Sequence, residues 1–449
     1  MQRETWQSPA LAACSRAIRG FRRAPCRENR AQFPSIRRAP AAPVPIAMSA
    51  PEKLPVLSEL FSRVLLSSAP LFDAKRQPIG LRLLVNGLPA SRSLSDAVAP
   101  LAPMLAELDP LLVFVGATGV GADAKLAEVD LPRNVVVEVP ADYVADPAQL
   151  ALLQQLAAAG RRLAFSGLPS RQISGEALGC CEAALVPATL DRPLAPVPVG
   201  PARRTLRFYV TDPGSLAEVN AAFARGASGS AGWPVADDSA RSTRPLQPAQ
   251  SVILELMQLL RDDAPAHKVE AVLKRDTALS FRLLKLVNSP ALGMVANVTS
   301  FQQALMALGY GKLQRWLVML LAKSGEDPDV SPLISYSITR GLMLDYLGAE
   351  VDASLRDDLF VTGAFSLLDR ITGVPFERLF ESVMLSSLAT DAIARADGPL
   401  GDFLRLMRSI EQHDAAAVRA HVERQFLTPM LLNTALVRAV VDGYRLVKE

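Results

Sequence analysis

Histidine and cysteine are scarce in this chain, with three and four copies among 449 residues. A hydrolytic metal centre needs several converging His and Asp ligands and an open position for water. His267, His413 and His421 are too few to build a histidine-rich one. Cys14 and Cys26 lie near the N-terminus, while Cys180 and Cys181 are neighbours, and neither pair has metal-ligand spacing. Adjacent cysteines read as two small apolar side chains, and such sparse usage fits a reducing cytoplasm. No Gly-x-Ser-x-Gly elbow and no Cys/His pair suggests a covalent nucleophile. No window stays apolar long enough to cross a bilayer; the run 313–321 is short and broken by Gln314 and Arg315. Basic and acidic residues nearly balance, 48 against 45, so the net charge of +3 gives no overall electrostatic ground for nucleic-acid binding.

What the chain does have is apolar bulk: half of its residues are hydrophobic, with few aromatics, so Leu, Ala and Val must build the cores. The length leaves room for two or three domains. Residues 1–50 carry Arg16, Arg19, Arg22, Arg23, Arg27, Arg30, Arg37 and Arg38 with almost no acids. This stretch reads as a disordered basic tail, as a transit-like segment, or as an extension upstream of a start at Met48. Pro40, Pro43, Pro45 and Pro51 make its junction an extended linker.

Residues 54–235 alternate β-like runs with Ala/Leu-rich helical stretches. The runs 111–115 and 135–139 read as strands buried on both faces, and 162–166 and 206–210 as further strands. The stretch 150–159 reads as a helix opening at Asp146-Pro147 and ending at Gly160, and 215–225 as another closing at Gly226. Such alternation predicts an α/β domain, with a closed barrel among the arrangements it allows. The passage 190–201 is proline-rich and reads as a loop or edge crossing. Gly116 to Gly121 reads as a βα loop, lacking both the Rossmann glycine spacing and a Walker lysine. The composition of 226–250 suggests a linker, assigned to 236–246. Beyond it, 247–449 shows helical periodicity and no strand, which predicts an all-α half.

The most telling stretch is 276–293. Leu279, Leu283, Leu286 and Val287 recur at helical spacing until Asn288-Ser289-Pro290 stops the helix. As a string it resembles the signature of HDOD domains, a helical output module of bacterial signalling proteins. Pro245-Leu246-Gln247-Pro248, Thr299-Ser300-Phe301-Gln302-Gln303-Ala304, Ala307-Leu308-Gly309, Gly363 to Asp369 and Gly398 to Gly401 extend the likeness. HDOD domains are similar to HD hydrolases but lack the metal ligands, and the corresponding positions here are Tyr336-Ser337 and Ser366-Leu367. The literal His413-Asp414 pair falls far downstream. Asp414 is expected to cap the helix that follows it.

From Pro70-Leu71-Phe72-Asp73 onward, the first half resembles an EAL domain, the TIM-barrel phosphodiesterase of cyclic di-GMP. That resemblance places the naming glutamate at Arg82, the phosphate-gripping arginine at Asn86, a metal-binding asparagine near Gly116 and the paired aspartates at Ser166-Gly167. Only Glu138 matches a ligand position, and 176–184 offers no counterpart of the catalytic lysine. One carboxylate is too little for a two-cation centre.

The fold expected is thus α/β plus all-α, a degenerate EAL-type TIM-like barrel followed by a helical HDOD domain. No catalytic, metal-binding or cofactor-binding residue and no cofactor is expected. The function expected is that of a cytoplasmic, non-catalytic scaffold for regulatory or signalling proteins, in cyclic di-GMP-linked or motility regulation. Asn288, Ser289, Thr299, Ser300 and Gln303 are the candidate interaction residues, with helix capping as their commoner role. A homo-oligomer is left open, and neither nucleic acid nor membrane insertion is expected. Two alternatives stand: a nucleotide-responsive receptor binding cyclic di-GMP without hydrolysis, and a residual phosphodiesterase.

Overall fold

The computed structural model describes residues 58–200, 204–235, 248–273, 329–382 and 385–448, with positions 275, 309, 313, 317 and 320 between them. Nine strands come first: β1 Leu65–Phe72, β2 Pro78–Asn86, β3 Leu112–Ala117, β4 Val135–Pro140, β5 Leu163–Ser166, β6 Ala183–Pro187, β7 Val197–Val199, β8 Arg204–Thr211 and β9 Gly229–Ala231. Eight of them form a closed ring, β6-β5-β4-β3-β2-β1-β9-β8, sealed by the β6–β8 pairing, while β7 hangs antiparallel on β8. β1 is antiparallel to both neighbours, and the other pairs of the ring are parallel. Closure leaves no free sheet edge in the ring.

The sequence explains these strands simply. β3 and β4 are runs of Val, Leu and Phe, whose branched or bulky side chains suit a sheet buried on both faces. Their inward residues fill the barrel: Leu71, Phe114, Val136, Ala164, Leu185, Tyr209 and Ala231 form one cluster, with the Phe114 and Tyr209 rings edge-on at 5.0 Å. Strand β3 runs further than expected, through Gly116 and Ala117, which were read as loop. Glycine permits this, because a Cβ at Gly116 would lie 2.5 Å from the Glu138 carbonyl oxygen. The proline-rich passage supplies β7 at the edge.

Helices α1 Leu94–Val98, α2 Ala102–Ala106, α3 Ala141–Ala145, α4 Leu150–Ala158, α5 Gly175–Gly179 and α6 Leu216–Ala224 punctuate the barrel. The Asp146 carboxylate accepts from the Ala148 N–H, opening the turn that leads into α4, and Ser215 caps α6 by accepting from the Glu218 N–H.

The described helices of the second half are α7 Pro248–Arg261, α8 Ala266–Leu273, α9 Val330–Val351, α10 Arg356–Phe365, α11 Leu368–Thr372, α12 Phe376–Ser382, α13 Ser387–Arg395, α14 Gly398–Glu411, α15 Ala415–Arg424 and α16 Pro429–Lys448. They complete the barrel as well as following it. β1 returns directly into β2 through a turn, so no crossover helix covers its outer side. That side is covered instead by α14, α15 and α16, and one apolar core runs from Phe61, Leu66 and Val85 to Leu404, Leu432 and Leu436. Lower on β1, Phe72 meets Trp233 edge-on at 5.7 Å, in a cluster with Val330, Leu333 and Ile334 of α9.

A fully buried amide fastens this seam. Asn433 of α16 donates to the Phe61 and Val64 carbonyls at 2.9 and 2.8 Å and accepts from the Leu66 N–H at 2.8 Å. It thereby satisfies three backbone groups that would otherwise be buried without partners.

Candidate functional site: two buried Arg–Glu pairs joined by one turn

In open and closed α/β sheets alike, sites gather at the carboxyl ends of the strands. Here that region carries Arg82 and Asn86 on β2, Glu138 on β4, Ser166 on β5 and Asp212 after β8; Ser67, near the start of antiparallel β1, joins them. Strand alternation points Arg82 and Glu138 into the barrel. Their side chains meet as a two-pronged fork, Arg82 Nε donating to Glu138 Oε2 at 3.0 Å and Nη2 to Oε1 at 2.7 Å. Both residues are buried, at 8% and 3% exposure. Burial works against the guanidinium charge, but Glu138, aided by Asp212, outweighs it and raises the Arg82 pKa.

Above the pair, Asn86 Nδ2 donates to Ser67 Oγ at 3.0 Å, and Thr118 Oγ1 donates to Asn86 Oδ1 at 2.7 Å. Into this ring comes a residue from the far end of the chain. His413 lies in the turn between α14 and α15, with φ of 56°, and its Nδ1 is 2.8 Å from Ser67 Oγ. Its Nε2 stands 4.0 Å from Asp212 Oδ1. Burial lowers the imidazole pKa, Arg82 lowers it further, and Asp212 and Glu138 oppose them. Asp414 caps α15 as expected, accepting from the Ala417 N–H at 2.9 Å.

The donor set does not fit the two divalent cations that the EAL resemblance implies. A cation occupies the naming position, both oxygens of Glu138 are engaged by it, and Ser166 stands where carboxylates would. Among the described residues, no group of three or more His, Cys, Asp or Glu side chains comes together to hold a metal ion.

A second buried fork lies in the helical half, where the HD likeness would put its metals. Arg340 of α9 donates to Glu411 at the end of α14, Nε to Oε1 at 2.7 Å and Nη2 to Oε2 at 2.6 Å. Its Nη1 donates to Ser366 Oγ at 2.8 Å, and Ser366 in turn donates to the Gly363 carbonyl at 2.8 Å. Ser337 donates to the Ala364 carbonyl. The two helices approach this closely because residue 363 is glycine: a Cβ there would lie 2.6 Å from the Arg340 backbone. Tyr336 is wholly buried against Trp233, and burial, then Glu411, pushes its hydroxyl pKa far up.

The positions singled out in sequence thus divide. Arg82, Glu138 and Asn86 come together; Tyr336, Ser337 and Ser366 lie around the second fork. Asn288, Ser289, Thr299, Ser300 and Gln303 lie outside the described residues. Cys180 and Cys181 are buried free thiols, and burial pushes the Cys181 thiol up to about 12. Glu411, Arg340 and Asn433 went unnoticed in sequence, and His413 was noted there only as part of a His-Asp pair far from the HD positions. Arg340 had a signal, being the one charge in the stretch 330–344; nothing local announced that His413 would meet Ser67. A groove of about 590 Å³ between α3 and α5, lined by Asp146, Gln172 and Glu176, lies outside the barrel.

Residues 246–397 match the HDOD domain family. The chain is 29% identical over 170 residues to the cyclic di-GMP phosphodiesterase CdgJ of Vibrio cholerae, covering 37% of this chain and 39% of that protein. It is 24% identical over 163 residues to YuxH of Bacillus subtilis, an uncharacterised protein, covering 35% and 40%. The chain therefore spans about two fifths of the length of these curated relatives. A solved structure of the PaMucR phosphodiesterase with c-di-GMP aligns over 38% of this chain and 95% of its own, at 14% identity and a TM-score of 0.27, a likeness too slight to place any residue. Among the described residues no helix is long and apolar enough to cross a membrane. The chain carries an HDOD domain at residues 246–397, behind a closed eight-stranded barrel whose first strand is antiparallel to its neighbours.

Proposed function

We propose that this protein is a non-catalytic signal-transduction scaffold of the cytoplasm, acting on regulatory or signalling proteins in cyclic di-GMP-linked or motility regulation. The observation that carries this reading is the Arg82–Glu138 fork inside the barrel. Two-metal phosphodiester hydrolysis relies on several converging anionic ligands and a water between two cations. A guanidinium repels such cations and takes up the matching carboxylate. The HDOD domain and the relation to a named cyclic di-GMP phosphodiesterase support the signalling context.

Purified full-length protein, incubated with cyclic di-GMP and magnesium or manganese, is expected to release no linear dinucleotide above a buffer control. Turnover that disappears in Glu138→Gln would sink the reading. The interaction half is tested by affinity purification from the native bacterium. Asn288→Ala with Ser289→Ala should lose a partner that the parent chain retains, while circular dichroism stays unchanged; loss of helical signal instead assigns these residues a structural role.

A further inference from the structure

The turn 412–414 follows directly on Glu411 of the second fork and reaches the polar ring above the first. Glu411 ends α14 and grips Arg340; two residues later His413 enters the barrel mouth and bonds Ser67. Asp414 then caps α15, so the turn lies between two helices. His413 has a left-handed backbone, unfavourable for a residue with a Cβ, and its side chain is held from the barrel side. Hydrogen bonds fail beyond roughly 3.5 Å, so a shift of about an ångström at this turn breaks contacts in both directions.

We propose that the turn is a two-sided wedge: His413 stoppers the barrel mouth, Glu411 holds the centre of the helical half, and withdrawal from one loosens the other. Coupling between distant regions requires an element with two arrangements that both regions bias, and this turn has one contact set on each side. A ligand that displaces His413 from Ser67 pulls Glu411 away from Arg340, whose Nη1 also holds Ser366. The HDOD helices α9 and α10 thereby sense the state of the barrel. This inference goes beyond the scaffold reading and holds whether or not the barrel hydrolyses anything.

Hydrogen–deuterium exchange on the full chain tests it with Ser67→Ala, which removes the barrel-side contact to His413 and leaves the Arg340–Glu411–Ser366 contacts as they are. Amides of 412–414 and of 363–366, where the Ser366 N–H bonds the Gly363 carbonyl, should both exchange about five-fold faster, the size expected for loss of one hydrogen bond. Amides of β4 and β5 should keep their rates. Faster exchange at 412–414 with 363–366 unchanged would overturn the proposal, as would no change at either. Should Ser67→Ala speed exchange throughout the chain, the same comparison is read from Asp212→Asn, at a side chain 63% exposed.

Discussion

The two buried forks are alike in geometry and unlike in support. Arg82 and Glu138 sit on β2 and β4, inside a ring of strands, and Asp212 lends Arg82 a second negative charge. Arg340 and Glu411 tie α9 to α14 across the helical half, with Ser366 as the third partner and no second carboxylate among the causes that raise the Arg340 pKa. A buried pair is weak support for stability as a pair, yet breaking it strands a charge. The difference in backup should therefore decide which break is worse.

The largest effect is expected from Glu411→Ala, which leaves Arg340 buried and uncompensated at a cost of roughly 3–5 kcal/mol. Glu138→Ala should cost about 1 kcal/mol less, because Asp212 still faces Arg82. Urea unfolding of the two variants side by side measures the gap; equal losses would remove Asp212 from the account. Asn433→Ala comes next. It leaves the Phe61 and Val64 carbonyls and the Leu66 N–H without partners, at a cost of about 2–3 kcal/mol on the same scale. Replacing Arg82 and Glu138 together by leucine is smaller again, within about 1 kcal/mol of the parent, because neither charge is then left alone. A double-mutant cycle over the four chains separates that pair energy from packing; a double variant as unstable as Glu138→Ala would mean that the site needs its polarity for shape.

These contrasts also show what a sequence can disclose. β3 and β4 were legible because Val, Leu and Phe in unbroken runs suit few other structures, and Asp414 was legible because capping depends on a local pattern. Arg82 was legible only through the position a family likeness assigns it. That it would meet Glu138, 56 residues onward, follows from ring closure and strand register, which no local pattern encodes. The same holds more strongly for His413 and Ser67, 346 residues apart, and for Asn433 and Leu66. The helical half covers β1 because β1 lacks a crossover helix, a consequence of topology and not of any one motif. One apolar cluster spans both halves, which no local pattern announces either.

The smallest effect expected is a pH dependence that distinguishes the wedge from the forks it joins. His413 is faced by Arg82 from β2, Glu138 from β4 and Asp212 from the end of β8, and burial is the leading cause that holds its pKa below 6.5. The unfolded chain therefore binds a proton at His413 more readily than the folded chain does. Stability from this group is complete above about pH 6.5 and is lost as pH falls through that value toward the depressed folded pKa. His421 is shifted the same way, by burial and then by Arg424 and Arg405, so the parent chain alone cannot assign the slope. His413→Asn can do so, because asparagine keeps a group able to bond Ser67 and does not titrate. Its thermal midpoint should fall less than the parent's between pH 7.5 and pH 5.5. Parallel curves for the two chains would mean that His413 is not held neutral at the mouth, and the wedge would then lack its barrel-side grip.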